Sequence, residues 1–269
     1  MPAAVITSRK NPLIQDLRAL LQSPTRRTAR CVIEGWRALE AAAAGGADVQ
    51  LALFTPDAAA DAHGAAVRER LESAGVRLVL VSSYVFASLS LVESPQGVLG
   101  IARRPREADP SVLGDPHALI VVLDGVQDPG NVGTILRTAS AVGTTAAVIV
   151  GATADPHGPK AIRASAGAVF RVPWLYFKTA PQAREVLTAR SVRILVADPR
   201  GDRVDSEVSF ARPVALVFGG EGAGSDPAWR GAAGSVRLPM RGSTESLNVA
   251  AAAAVLLYKA AQFSAPARP

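Results

Sequence analysis

The sequence predicts an α/β protein of two units, the second built around a mostly parallel sheet. Three observations carry this. From Leu119 to Leu238 short apolar runs alternate with helical stretches, the pattern of parallel strands covered by helices on both faces. Ahead of them, Arg103–His117 holds three prolines, mixed charge and no periodicity, and reads as a linker. Finally, 269 residues that are 49% hydrophobic and 19% charged suffice for two cores and exclude a mainly disordered chain. The predicted division is an N-terminal domain over 1–105, a linker over 106–117 and a C-terminal domain over 118–269.

The N-terminal elements follow from local chemistry. Asn11 and Pro12 form a cap and first-turn pair for a helix through Leu21. Cys31–Glu34 is a short strand, and the alanine-rich Trp36–Ala44 is a helix stopped by Gly45 and Gly46. Leu51–Phe54 and Leu78–Val81 are strand-length apolar runs with a charged helix, Ala58–Ser73, between them. Ser83 caps a short helix that ends before Pro95, and Gly97–Ala102 returns as a strand. Beyond the linker the predicted strands are Leu119–Leu123, Ala147–Val150, Val169–Val172, Arg193–Ala197, Val214–Phe218 and Val236–Leu238. The alanine runs at Ala41–Ala44 and Ala250–Ala254 are helix interiors that allow close packing.

Composition excludes several classes. Cys31 is the sole cysteine, so neither an intramolecular disulfide nor a cysteine-based zinc cluster can form. His63, His117 and His157 are too scattered for a metal motif, and none is expected. Met1–Asn11 lacks the apolar core of a secretory signal. Val249–Leu257 falls short of the roughly 20 residues that span a bilayer. A cytoplasmic protein without membrane association is expected. The net charge of +6 fits a polyanionic partner, because clustered Lys and Arg displace counterions from phosphate. Arg9, Lys10, Arg26, Arg27 and Arg30 gather near the start, as a solvated face or a phosphate-contacting surface.

Three blocks carry chemistry. The first runs Val122-Leu-Asp-Gly-Val-Gln-Asp-Pro-Gly-Asn-Val-Gly133 and continues through Arg137 to Gly143. A buried strand ends at Asp124, and a Gly/Pro turn leads into a helix, where open α/β sheets place their ligands. The spacing of Gly125, Gly130 and Gly133 does not fit the dinucleotide fingerprint, which weakens a nucleotide-dependent oxidoreductase. In that helix Val132, Ile135, Leu136 and Ala139 supply a core face, while Arg137 sits among the small residues Gly133, Thr134, Ser140 and Ala141. The second block, Leu216-Val-Phe-Gly-Gly-Glu-Gly-Ala-Gly-Ser225, is a strand entering a glycine loop that bears one carboxylate, Glu221. It lacks the Gly-Lys-Ser/Thr ending of a phosphate-binding P-loop. The third, Val236-Arg-Leu-Pro-Met-Arg-Gly-Ser-Thr-Glu-Ser-Leu-Asn-Val-Ala250, places Ser246 and Asn248 at a helix start, where they cap free N–H groups or bind a ligand.

In this order the three blocks closely resemble the SpoU (TrmH-type) RNA 2′-O-ribose methyltransferases of the SPOUT superfamily, with no departure at the key motif positions. Lys160-Ala-Ile-Arg-Ala-Ser-Ala-Gly167, which contains Arg163, matches a further family segment. Thr7–Pro12, Val32–Gly35 and Glu93–Gly97 resemble the family's RNA-binding N-terminal domain, a small α/β fold of the ribosomal-protein L30e type. The resemblance implies a deep trefoil knot in the C-terminal domain, S-adenosylmethionine as cofactor, and a homodimer formed through that domain. It also implies RNA as substrate, with ribosomal RNA preferred and transfer RNA the alternative. It assigns catalysis to Arg137 with Asn131, Glu221, Ser246 and Asn248. It assigns cofactor contacts to Gly219, Gly220, Leu238, Met240 and Leu247, and RNA contacts to the N-terminal basic residues and Arg163. An RNA- or ribosome-binding protein that keeps the fold without activity is the competing reading.

Overall fold

The computed structural model describes residues 5–22, 28–222, 224–231 and 233–262. The chain divides into two compact units, Met1–Pro105 with Asp155–Arg171, and Arg106–Ala154 with Val172–Pro269.

The first unit begins with α1 (Pro12–Gln22), whose leading turn is fixed by Asn11 Oδ1 accepting from Leu13 N at 3.0 Å. Then come β1 (Arg30–Glu34), α2 (Trp36–Ala44), β2 (Val49–Phe54), α3 (Pro56–Ala60), α4 (Ala62–Ser73), β3 (Arg77–Leu80), α5 (Ser83–Ala87) and β4 (Val98–Arg103). The sheet runs β1-β4-β2-β3, with β4 antiparallel to both neighbours and β2 parallel to β3. Ile14 and Leu17 of α1 pack with Val32, Leu53, Phe86 and Ile101 in one core. Two local expectations change. The single helix expected over Ala58–Ser73 is two, because Asp61 takes extended backbone and its carboxylate accepts from His63 N and Gly64 N to restart the helix as α4. The cap of α5 is Ser82 rather than Ser83, its hydroxyl accepting from Val85 N.

The discontinuous part of this unit contributes to a buried polar cluster. The Arg104 guanidinium grips Asp155 through two bonds of 2.9 and 2.7 Å, and Arg104 Nε donates to Thr28 O at 3.1 Å. Asp155 Oδ1 also accepts from His157 N at 3.0 Å. Cys31 lies in the same surroundings with its thiol pushed up to about 12, chiefly by burial, so it stays a neutral, inert thiol. The His157 imidazole is held down to about 4, by burial first and by Arg104 second, against the opposing pull of Asp155. An unfolded imidazole titrates near its ordinary value of about 6.5. Between those two values the unfolded chain binds a proton that the native chain refuses. The stabilisation is therefore complete above about pH 6.5 and drains as pH falls toward about 4, at up to roughly 1.4 kcal/mol per pH unit. His157→Phe, which keeps a ring beside Phe170, is expected to flatten this slope when denaturant midpoints are compared at neutral and mildly acidic pH. An unchanged slope in that variant would assign the pH dependence to other groups.

From Asp155 the chain continues as α7 (Pro159–Ala164) and a 3₁₀ turn at Ala168–Phe170, entered through Gly167 at φ 80°. The α7 helix packs on β1 and the 3₁₀ turn on α2. A Cβ on Gly167 would press into Ala38 O. The strand expected at Val169–Val172 is thus absent. Its apolar side chains are buried in a turn instead, and the strand lies further on, at Trp174–Phe177.

The second unit contains β5 (Leu119–Asp124), α6 (Pro129–Ala141), β6 (Ala146–Val150), β7 (Trp174–Phe177), α8 (Ala180–Thr188), β8 (Arg193–Ala197), β9 (Arg203–Val204), β10 (Val214–Gly219), β11 (Ala233–Arg237) and α9 (Val249–Gln262). Residues 106–117 belong to this unit. Asp109 caps a 3₁₀ turn, Pro110–Gly114, that buries Leu113 in the core. All pairings among the seven strands, ordered β7-β6-β5-β10-β8-β11-β9, are parallel. Every residue of β5 and β6 is buried, as near-continuous apolar runs with both faces covered require. The two-residue β9 escaped sequence reading. The last long strand begins at Ala233 rather than Val236 and ends before Leu238. The topology puts β10 directly beside β5, with Gly219 in register with Asp124. The loops that leave these two strands therefore emerge side by side at the carboxyl edge of the sheet.

Candidate active site at the carboxyl edge of the sheet

The strand register brings the first and second sequence blocks together. Asp128 Oδ2 accepts from Asn131 N at 3.2 Å and caps α6, which fixes Asn131 in the first turn. Its side-chain amide donates to Glu221 Oε1 in the glycine loop after β10. The third block joins through α9, which packs along α6. Asn248 Oδ1 accepts from Ala250 N at 2.8 Å to cap α9, and its Nδ2 donates to Asn131 Oδ1 at 3.2 Å. Asn131, Glu221 and Asn248, far apart in sequence, thus form one hydrogen-bonded chain with both faces of the Asn131 amide used.

Beside this chain lies a cavity of about 950 Å³. Gly219, Gly220, Leu238, Met240 and Leu247 line it, as do Glu221, Ser246 and Asn248. The glycines are sterically required. A Cβ on Gly219 would collide with the Gly224–Ser225 backbone, and one on Gly220 with the Gly125 carbonyl oxygen. The loop folds on itself through Gly224 N donating to Gly220 O at 3.0 Å. Ser246 is exposed, two residues ahead of Asn248, and makes no hydrogen bond within the described residues. Sequence reading missed Asp198–Arg200 and Trp229, which also line the cavity. The usable signal for the former was positional, since β8 ends at the same sheet edge.

Arg137 stands apart from this cavity. It is exposed on α6, opposite the buried Val132, Ile135, Leu136 and Ala139, and makes no hydrogen bond or ion pair within the described residues. Of the expected RNA-contacting residues, Arg9 donates to Tyr84 O at 3.2 Å and lies 3.9 Å over the Tyr84 ring, which is 63% exposed. Lys10 is exposed. Arg30 is engaged in a two-bond surface pair with Asp16, whose carboxyl that bond holds below its usual range. Arg163 is half-buried on α7. Arg26 and Arg27 lie outside the described residues. Among the described residues no helix is long and apolar enough to cross a membrane.

Residues 118–258 match the model of the SpoU rRNA Methylase family, and residues 11–100 match an MRM3-like substrate binding domain. The chain belongs to the SpoU rRNA methylase family. An uncharacterized tRNA/rRNA methyltransferase of Synechocystis sp. is 34% identical over 96% of this chain and 93% of its own length. The 23S rRNA (guanosine(2553)-2′-O)-methyltransferase of Bacillus subtilis is 32% identical over 68% of this chain and 72% of its own. Among solved structures, the SpoU methyltransferase AviRb from Streptomyces viridochromogenes in complex with AdoMet superposes with a TM-score of 0.84. The identity is 27%, over 94% of this chain and 98% of that one. The α/β fold with its parallel sheet is therefore that of SpoU methyltransferases.

Proposed function

We propose that this chain is an S-adenosylmethionine-dependent methyltransferase acting on a ribose 2′-hydroxyl of ribosomal RNA. The observation that carries the reading is the chain Asn248–Asn131–Glu221 at the rim of the glycine-lined cavity, in a member of the SpoU family. The cavity fits the cofactor chemically. Backbone at Gly219 and Gly220 admits close approach of a flat purine, and Leu238, Met240 and Leu247 offer apolar surface. Bound there, S-adenosylmethionine supplies an electrophilic methyl group. The protein's part is alignment and charge stabilisation. Asn131 and Asn248 orient the ribose, and Glu221 fixes Asn131. Ser246 stands free to bond substrate. A guanidinium holds its proton too tightly to serve as a general base. Arg137 therefore acts as a donor that grips the adjacent phosphate and stabilises negative charge growing on the 2′-oxygen as the hydroxyl proton passes to solvent water.

The same reading assigns residues 1–105 to substrate binding, with Arg9, Lys10, Arg26, Arg27, Arg30 and Arg163 facing phosphate. It gives the C-terminal domain a trefoil knot, and the enzyme a cytoplasmic setting. A homodimer through the C-terminal domain agrees with α9, which leaves Val255 41% and Tyr258 55% exposed.

The test is calorimetric titration with S-adenosylmethionine, followed by incubation with unmodified ribosomal and transfer RNA and mapping of 2′-O-methyl groups. Methylation of ribosomal RNA is expected. Methylation of transfer RNA alone would correct the substrate, and absence of cofactor binding would leave an RNA-binding protein without activity. Gly220→Ala should weaken cofactor binding by about tenfold or more, because relieving the collision with Gly125 displaces the loop. Unaltered affinity would show that this stretch of loop does not shape the pocket.

A further inference from the structure

Asp124 is a buried carboxylate at the site's sheet edge that the mechanism above does not use. Asp124 ends β5 and is only 8% exposed. It stands in register with Gly219, where the glycine loop begins. Its Oδ2 accepts two hydrogen bonds from the far end of that loop, one from Asp226 N at 2.7 Å and one from Trp229 Nε1 at 2.9 Å. The Trp229 indole is fully buried and forms part of the cavity wall. Asp226 in turn caps the 3₁₀ turn that carries Trp229, accepting from Ala228 N at 2.7 Å. The residue after Asp124 completes the arrangement. Gly125 N donates to Thr153 Oγ1 at 2.8 Å, and Gly220 rests against Gly125 O.

We propose that Asp124 is a positioning residue for the methyl donor. It closes the Gly219–Asp226 loop from below and sets the orientation of the Trp229 wall, so that the cavity exists in the correct shape before any ligand arrives. Two features support a positioning role over mere packing. A buried carboxylate is costly unless its lone pairs are used, and both bonds here converge on one oxygen from the two groups whose placement defines the loop exit and the wall. The bond to Asp226 N also pins the end of a glycine-rich segment, which has the largest backbone entropy to lose and therefore gains most from a fixed anchor. The inference rests on the cofactor reading given above.

The variants are Asp124→Ala, Asp124→Asn and Trp229→Phe, studied as the full chain. Asp124→Ala removes the acceptor of the buried Trp229 indole N–H and of the partly buried Asp226 N–H, and S-adenosylmethionine affinity should fall about tenfold to a hundredfold, with kcat at saturating cofactor little changed. Asp124→Asn keeps an acceptor oxygen at the same place and should rescue affinity to within about threefold of wild type. Trp229→Phe retains the buried ring and should fall between the two. In the cofactor-free protein the Trp229 indole N–H resonance should move, and the Gly219–Asp226 amides should exchange faster in Asp124→Ala. Unchanged affinity in a correctly folded Asp124→Ala or Trp229→Phe protein would overturn the proposal. So would an Asp124→Asn variant as weak as Asp124→Ala, because charge rather than acceptor geometry would then be at work. Failure of the wild-type chain to bind S-adenosylmethionine would instead overturn the cofactor reading, and the indole and exchange readouts would still decide whether Asp124 holds the loop.

Discussion

Arg137→Ala is expected to lower kcat for RNA methylation by about a hundredfold to a thousandfold, the range seen when one charge-stabilising donor is removed from an active site. The protein should remain folded, because Arg137 is exposed on α6 and no described residue depends on it for a hydrogen bond or ion pair. Binding of S-adenosylmethionine should also persist, since the cavity is lined without Arg137. The expected signature is therefore lost turnover with intact cofactor affinity, measured by calorimetry beside a methyl-transfer assay. Arg137→Lys separates charge from geometry. Lysine keeps the positive charge but offers a point donor in place of a planar fork. Near-full turnover in Arg137→Lys would defeat the bidentate-positioning role, and unaltered methylation in Arg137→Ala would remove this residue from the mechanism.

Asp155→Ala is expected to destabilise the first unit by about 3–5 kcal/mol, because it strands the Arg104 guanidinium at a site where the two side chains are only 13% and 7% exposed. The corresponding fall in melting temperature is on the order of 10 °C. The sign of the double replacement is the informative part. Asp155→Leu combined with Arg104→Leu removes both charges and the desolvation each suffers, and should recover much of the loss. A double variant as unstable as the single ones would mean that the pair contributes net stability rather than balancing its own burial.

The second unit was largely legible from sequence because its central strands are buried on both faces. Leu119–Asp124 and Ala146–Val150 read as strands without needing a partner to identify them. The three motif blocks each follow a strand or open a helix at the same sheet edge, as their spacing implied. What sequence could not supply was pairing over distance. Nothing local marks Arg104 as the partner of Asp155, or Asp124 as the acceptor for Trp229. The apolar Val169–Val172 misled because burial in a 3₁₀ turn and burial in a short strand leave the same composition behind. Asp61 shows the complementary limit, a cap hidden inside what periodicity treats as one helix. The placement of Arg137 away from the cavity was equally invisible, because a motif records which residues occur together in sequence and not which surface each one faces.

The insertion of β10 between β5 and β8 has a consequence for biosynthesis. During translation β5 emerges well before Val214–Gly219 and β8 shortly before it, yet each has one edge that only β10 pairs. Until that strand arrives, the nascent chain holds apolar strands with open inner edges, the kind of surface that recruits other chains. The final sheet also depends on contacts between segments far apart in sequence, which form slowly. The glycine loop follows directly on β10, so the pocket takes shape only as this late gap closes. Synthesis at lowered temperature or with chaperone support should therefore raise the soluble yield of this chain more than any single surface substitution.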